Sequence, residues 1–265
     1  MTPSRPQEHP VVGVLEALAM GFDRVRRQPW LMILPLLLDL FLWVGPRLEA
    51  QSLYAQFEPD LKSLSAELDA DGQLAVQDMS SLLKDFLGRY NLFSWLSVGI
   101  VGVPAVNTTV DATTPLVTGA PPAKLSIADV GTYLGAAIGL SAIGLMLGGL
   151  FWAMLTLSLR GEDFSLGRWL RHGLTIGWQL LVLGVLLSLS MIVLMFPVSI
   201  VMALISAISL GLASLLPALI VTALAWVIFY LAFTVHGLAL YRLPLVRALR
   251  ISALIARIFF VATLG

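Results

Sequence analysis

The sequence of 265 residues contains no cysteine and only three histidines, His9, His172 and His236. Without cysteine the chain cannot use thiolate chemistry, disulfides, cysteine-ligated zinc or iron–sulfur clusters. The three histidines lie far apart along the chain, so the sequence predicts no metal site and no haem. It also lacks the HExxH, GxSxG, P-loop and dinucleotide-binding motifs. We therefore predict no cofactor and no catalytic residue, and thus a protein that is not an enzyme.

Charge is scarce as well. Only 12% of the residues are charged, 58% are hydrophobic, and sixteen basic residues balance sixteen acidic ones. A net charge of zero excludes nucleic-acid binding driven by overall charge. A chain with a mean hydropathy of +0.90 cannot keep its surface solvated as a monomer in water. The predicted fold class is an all-α integral membrane protein with about four transmembrane helices, basic interfacial helices and a long extracytoplasmic helical insertion.

The first segments of the chain are predicted to reach and then enter the membrane. Residues 1–28 form a polar cytoplasmic tail followed by an interfacial helix, because apolar residues from Val11 to Val25 recur at spacings of three and four. The alternative is a helix that packs on a soluble domain. Span 1 is predicted over residues 29–46, where Pro29 suits the first helical turn and Pro35 is expected to cause a kink.

Residues 47–126 form a polar, acidic insertion. Helical periodicity predicts two helices, Leu48 to Leu68 and Leu74 to Tyr90, separated by the breaker sequence at 69–72. Residues 92–106 are apolar but too few to span a membrane, and they are expected to dip into the interface. Residues 107–124 are rich in Thr, Pro, Ala and Gly, a composition that favours an extended linker.

The second half of the chain is almost entirely apolar. Span 2 is predicted at 127–159, followed by a polar cytoplasmic loop at 160–173. Residues 174–241 contain no Asp, Glu, Lys or Arg, and a helix of that length far exceeds one bilayer crossing, so the tract must fold back. Pro197 and Pro217 are the expected breaks. They give span 3 at 174–196, a re-entrant or interfacial segment at 198–216, span 4 at 217–241, and an interfacial helix at 242–265.

Basic residues predict the orientation, because loops rich in Lys and Arg stay cytoplasmic. Three arginine patches lie in the N-terminal segment, the middle loop and the C-terminal segment. Two crossings between the last two patches return both to the cytoplasm, whereas a five-span topology would place the C-terminal patch outside. The expected location is a bacterial inner membrane with a cytoplasmic N-terminus. The predicted membrane-interface arginines are Arg24, Arg26, Arg27, Arg168, Arg171, Arg247 and Arg250.

These patches resemble one another. Residues 21–27, 165–172 and 244–250 are each a short basic amphipathic element that precedes an apolar run. The repeating unit would be an interfacial helix, a span out and a span back. By that logic Ile258 to Gly265 begins a further span, so we expect either a terminal interfacial helix or a sequence cut before a final hairpin.

The Arg-Arg-Gln-Pro-Trp entry at 26–30 and the Pro-Leu-Val-Arg-Ala-Leu-Arg-Ile-Ser element at 244–252 carry a resemblance. They are similar to a poorly characterised bacterial multi-pass membrane family, which includes the membrane domain fused to some glycerophosphodiester phosphodiesterases. The resemblance covers the membrane part and not the insertion, and the hydrolase domain of those fusions is absent. It implies a membrane architecture and no catalytic residues.

Two ionisable residues, Asp39 and His236, fall inside predicted spans. Both lie in the predicted inner half of the bilayer, where burial of such groups is costly and marks a candidate functional site. One interpretation is an Asp39–His236 pair in a proton or substrate pathway. The other is a structural hydrogen bond between helices.

Glycines mark the predicted packing faces of spans 2 and 3. Small residues at helical spacing let helix backbones approach closely, either within one chain or between subunits. The predicted helix-packing residues are Gly131, Gly135, Gly139, Gly144, Gly148, Gly173, Gly177 and Gly184.

These features favour a non-enzymatic membrane scaffold or accessory subunit whose partners are membrane lipids and other membrane protein subunits. The alternative is a transporter or channel component that uses Asp39 and His236. A lipid-handling enzyme rests on the family resemblance alone.

Overall fold

The structure is a computed structural model that describes residues 13–97, 101–106, 123–208 and 216–258. The predicted tail residues with His9, most of the predicted linker, part of the predicted re-entrant segment and the final residues 259–265 lie outside it. The described chain is mostly helical, as predicted. Among the described residues, three helices are long and apolar enough to cross a membrane, or four if the bent pair Leu15–Arg27 and Pro29–Val44 is one span.

The elements follow one another along the chain with two 3₁₀ turns among them, at Pro29–Met32 and Leu92–Leu96. The helices and strands are α1 (Val14–Arg27), α2 (Ile33–Val44), β1 (Arg47–Glu49), α3 (Gln51–Ala66), α4 (Ala70–Arg89), β2 (Lys124–Ser126), α5 (Val130–Arg160), α6 (Leu166–Ile208), α7 (Leu216–Leu231), α8 (Thr234–Ala239) and α9 (Leu245–Ile258).

The antiparallel pair α5–α6 is the centre of the fold. A short loop at 161–165 joins the two helices, and Gly161 ends α5 with a φ of 65°, which is the left-handed conformation that glycine adopts most readily. We call the end with this loop the arginine end, and the end where α5 begins the insertion end. At the insertion end Asp129 caps α5 by accepting the Thr132 N–H at 2.7 Å. The hydroxyl and N–H of Thr132 lower the pKa of Asp129 below its usual value.

Helix α6 continues through Pro197, so the predicted break between span 3 and a re-entrant segment is wrong. The helix has 43 residues, and its described part includes residues 198–208 of the predicted re-entrant segment. A proline removes one backbone hydrogen bond, but neighbouring groups in a long helix compensate that local loss. At its other end α6 begins at Leu166 and not after residue 173. The middle basic element is therefore the first turns of α6 and not a separate interfacial helix.

The first apolar segment meets α1 at a sharp bend. The 98° change of direction falls between Arg27 and Pro29, where the sequence predicts the start of a new helix, and Pro35 lies in the first turn of α2. Proline in a first turn removes no helical hydrogen bond and causes no kink. Ser158, buried near the arginine end of α5, accepts a hydrogen bond from Arg24 Nε at 3.1 Å and donates one to Gln28 Oε1. These bonds hold the bend against α5.

After α6 the chain returns to the arginine end through α7 and α8. Arg242 contacts Glu162 at 3.1 Å, and Arg160 donates to Leu240 O at 3.2 Å. The amphipathic helix α9 then packs beside the interruption between α7 and α8. There the buried Ser252 hydroxyl donates to Tyr230 O at 2.7 Å and accepts the Phe233 N–H at 3.2 Å. All three arginine-bearing segments therefore lie at one end of α5–α6.

The insertion contains the two predicted helices, and Asp69 of the predicted breaker caps α4 through the Gly72 N–H. It also contains two strands, which corrects the all-α prediction. The strands β1 and β2 pair in parallel, with Leu48 opposite Leu125. Lys124 contacts the buried Glu49 at 3.1 Å across this pair. Three-residue strands that lie so far apart in sequence carry no detectable periodic signal.

Replacement of Ser158 by alanine is expected to loosen the bend. Loss of both hydrogen bonds leaves Arg24 and Gln28 without their partner and costs about 1–3 kcal/mol of unfolding free energy. The midpoint of thermal unfolding in detergent, followed by tryptophan fluorescence, measures the change. The matched control is Ser190→Ala, at an exposed position of α6, which should leave the midpoint unchanged. Equal midpoints for the two variants contradict this account of the bend.

Candidate functional site

Residues 92–97 and 101–106, which we call the inserted segment, lie between α2 and α5. Leu92 is buried with Ala50 and Ile127 near the insertion end. Farther along the segment, Leu96 and Val103 pack with Leu38 and Leu42 of α2. The segment was expected to dip into an interface, and the structure places its described part within the helical core.

The inserted segment reaches deep along α5. Gly102 lies against Gly148, where a Cβ added to Gly148 would stand 2.8 Å from the Gly102 Cα. Gly148 is about 27 Å along the helix axis from Val130, at 1.5 Å per residue. The Trp152 Nε1 donates to Val101 O at 3.2 Å, which satisfies a carbonyl outside regular structure. Irregular backbone at such a depth is stable in a membrane protein only where the protein buries it or a water-filled cavity borders it.

Asp39 binds the C-terminal end of the inserted segment. Its Oδ1 accepts the Val106 N–H at 2.8 Å. His236 is exposed, and its ring stands 5.3 Å from the Trp152 ring in an edge-to-face arrangement. The described contacts therefore do not join Asp39 to His236. Instead, Asp39 contacts the inserted segment directly. His236 contacts Trp152, which in turn donates to that segment.

Among the predicted helix-packing glycines, one group packs at the α5–α6 crossing and another does not. Gly173 and Gly177 of α6 lie at the α5–α6 crossing, where the closest partner on α5 is Gly149. A Cβ built on Gly149 would stand 2.3 Å from the Gly177 nitrogen and 2.5 Å from the Gly173 oxygen. A Cβ on Gly184 would approach the Leu145 side chain at 3.2 Å. The two helix backbones thus touch with no side chain between them.

The other group makes no such approach. A Cβ on Gly135 or Gly139 meets nothing within 4 Å in the described part of the chain, and one on Gly131 meets only the Asp129 carboxylate. Gly144 is buried in α5. Sequence reasoning missed Gly149, because the four-residue spacing of glycines drew attention to Gly148 instead. Gly148 and Gly149 point about 100° apart around α5, so one contacts the inserted segment and the other contacts α6.

The predicted interface arginines all lie at the arginine end or on the two amphipathic helices. Arg24 bonds to Ser158, while Arg26 and Arg27 pair with Asp23 on exposed turns of α1. Arg168 donates to Asp163 O at 3.0 Å, and Arg171 is exposed on the next turn. Arg247 and Arg250 are exposed on α9. The surface pairs of Arg26 and Arg27 with Asp23 contribute little stability.

Among the described residues, no group of three or more His, Asp or Glu side chains could hold a metal ion. Comparison of the chain with protein-family models, curated proteins and solved structures finds no match in any of the three.

Gly149→Ala is expected to force α5 and α6 apart. The added methyl group has no space beside the backbone of Gly177, and overpacking of this kind costs about 1–3 kcal/mol. Gly135→Ala is the matched control on the same helix, because its methyl group meets open space. The fraction that stays monodisperse on size-exclusion chromatography after heating measures the effect. If Gly149→Ala survives heating as well as Gly135→Ala does, the close crossing is wrong.

Proposed function

We propose that this protein is a non-enzymatic, multi-pass membrane protein that packs as an accessory subunit within a larger membrane assembly. In this proposal α5, α6 and the α7–α8 pair cross the bilayer, and the bent α1–α2 pair enters it. The arginine end faces the cytoplasm, because three arginine-bearing segments meet there. The insertion with α3 and α4 then lies on the opposite side. The proposed location is a bacterial inner membrane, and the family resemblance stays a prediction.

The length of α6 carries the proposal. Its apolar part from residue 174 to residue 205 is about 48 Å long at 1.5 Å per residue. Even at a tilt of about 40°, the upper end of the usual range, this part extends about 37 Å along the membrane normal. The hydrocarbon core is only about 30 Å thick. Lipid tails therefore cannot cover the whole apolar surface of α6.

The apolar surface of α6 is also exposed on every side of the helix around residues 192–196. Residues 192–196 are five consecutive positions, more than one helical turn, and all five side chains are exposed, with Val193 at 70% and Phe196 at 72%. The α5–α6 crossing leaves the distal half of α6 without covering side chains from the described part of α5. The same exposure continues to Ile200, Val201 and Leu204, where α6 leaves the hydrocarbon core, and apolar surface beyond the lipid requires a protein partner. Helices of another subunit are the partner that this surface fits.

The open glycines of α5 offer a second face for a partner helix. Gly135 and Gly139 lie on one side of α5 where a neighbouring backbone could approach closely. This face lies at the insertion end, away from the crossing at Gly149. An accessory subunit that contacts two neighbours would use both faces.

The test is purification of the tagged chain in mild detergent, followed by blue-native electrophoresis and mass spectrometry of co-migrating chains. The expected result is an assembly of defined stoichiometry that the Ile200→Ala/Leu204→Ala double variant weakens at least tenfold. Truncation of two buried interface side chains costs about 1 kcal/mol or more each. The control is Val246→Ala/Leu254→Ala, two exposed apolar positions of α9 that lie outside both proposed faces. A monomer with no co-migrating chain contradicts the proposal.

A transporter or channel component is the second candidate, and the inserted segment favours it. Irregular backbone held at depth by Asp39 and Trp152 is the type of element that borders conduction pathways. In this version the inserted segment moves during transport.

Proteoliposomes loaded with a pH-sensitive dye distinguish this candidate. Under an imposed potassium diffusion potential, the unaltered chain should admit protons, and Asp39→Asn together with His236→Ala should abolish the flux. The control is Glu58→Gln, which changes one exposed acidic residue of α3. Absence of proton flux through the unaltered chain contradicts proton conduction and leaves the accessory role as the proposal.

A further inference from the structure

A second feature of the arginine end is a polar cavity of about 290 Å³ between α5, α6 and the chain that follows α8. This volume is close to the lower bound of small-molecule sites. Its polar lining consists of Glu162, Arg168, Arg171, His172, Thr175 and Arg242. Three guanidinium groups therefore face one cavity that contains one carboxylate.

That carboxylate is already neutralised. Glu162 contacts Arg160 Nε at 2.9 Å and Arg242 at 3.1 Å, and the one Nη2 nitrogen of Arg242 reaches both carboxylate oxygens. Because two arginines share this one acid, the cluster keeps a positive charge before Arg168 and Arg171 are counted. Arg168 Nη2 donates a hydrogen bond to Asp163 O. Arg171 forms no ion pair with any described residue. The His172 Nε2 is buried without a hydrogen-bond partner in the described structure.

Guanidinium forks suit one class of ligand above others. Two N–H groups of one guanidinium bind two oxygens of a carboxylate or a phosphate. Arginine is therefore common where proteins recognise phosphate. A lone carboxylate neutralises one arginine, whereas a phosphate presents several acceptor oxygens to the free donors of Arg168, Arg171 and Arg242. The donor set therefore favours a phosphate group.

The surface next to the cavity indicates which kind of molecule would bring a phosphate group to it. Arg171, Leu174 and Trp178 follow one another at spacings of three and four on α6, so they share a face of that helix. Leu174 and Trp178 are more than half exposed and lead from the cavity along the apolar part of α6. An acyl chain lying on this stripe would place its headgroup at the arginines. A free phosphate would leave the stripe uncovered.

We propose that this cavity binds the phosphate group of an anionic phospholipid, with an acyl chain along Leu174 and Trp178. Basic pockets between membrane helices on the cytoplasmic side recognise such headgroups. The bound lipid would join α6 to the segment after α8 through Arg171 and Arg242. This inference does not depend on the accessory role, because it concerns a ligand of the single chain.

The test is native mass spectrometry of the purified full chain in neutral detergent, titrated with dioleoyl-phosphatidylglycerol. A parallel titration uses dioleoyl-phosphatidylcholine, and a third arm adds inorganic phosphate as a competitor. We expect phosphatidylglycerol to bind at least tenfold more tightly than phosphatidylcholine. Inorganic phosphate at equal concentration should displace little of it. Equal binding of the two lipids overturns the proposal, and tight binding of phosphate alone overturns the lipid assignment.

Variants locate the site. Arg168→Gln/Arg171→Gln should weaken phosphatidylglycerol binding about 30-fold, from roughly 1 kcal/mol for each arginine near a headgroup. The matched control is Arg247→Gln/Arg250→Gln, which removes the same charge from α9 and should change binding less than twofold. Arg171→Gln alone, at an exposed side chain with no described ion pair, should weaken binding about fivefold and guards against misfolding of the double variant. Equal losses in both double variants overturn the site, because they would indicate general surface charge.

Discussion

The contact on which the rest of the molecule depends is the approach of two helix backbones at Gly149, Gly173 and Gly177. In the proposed membrane setting no hydrophobic force drives helices together, so close packing of this kind supplies the attraction. It sets the relative position of α5 and α6, and the indole of Trp169, which donates to Leu150 O at 2.9 Å, strengthens the same crossing. Because the crossing lies near the loop at 161–165, it also positions the side chains of the arginine end.

One turn of α5 packs against two different segments of the chain. Gly149 faces α6, and its neighbour Gly148 faces the inserted segment, so both approaches depend on the absence of a side chain at adjacent positions. The inserted segment brings backbone polar groups into an apolar core, where each unsatisfied group is costly. Trp152 and Asp39 supply partners for two of them. The accessory role and the transport role differ in whether this segment stays in place or moves.

Electrostatics at the arginine end joins parts of the chain that are distant in sequence. Glu162 receives Arg160 from its own turn and Arg242 from the far side of the long apolar tract. Exposed pairs of this kind add little free energy, but they leave an excess of guanidinium groups around a cavity. The same end anchors α1 through Ser158 and α9 through Ser252. The distal half of α6 has no comparable set of contacts in the described chain, which is why a protein partner is proposed there.

Several features could be predicted from the sequence because they depend on local chemistry. Periodicity indicated α1, α3 and α4, Asp69 marked the start of α4, and the apolar run at 127–159 corresponds to α5. The tertiary structure decided what depends on the neighbour: that Gly149 and not Gly135 meets a helix, that Asp39 binds the Val106 N–H and not His236, and that three residues of β1 pair with β2. Pro197 shows the limit most clearly, since a proline predicts a local cost but does not determine whether the chain turns there. Spacing along a chain specifies which side chains share a helix face, whereas the partner of that face is specified only when distant segments pack.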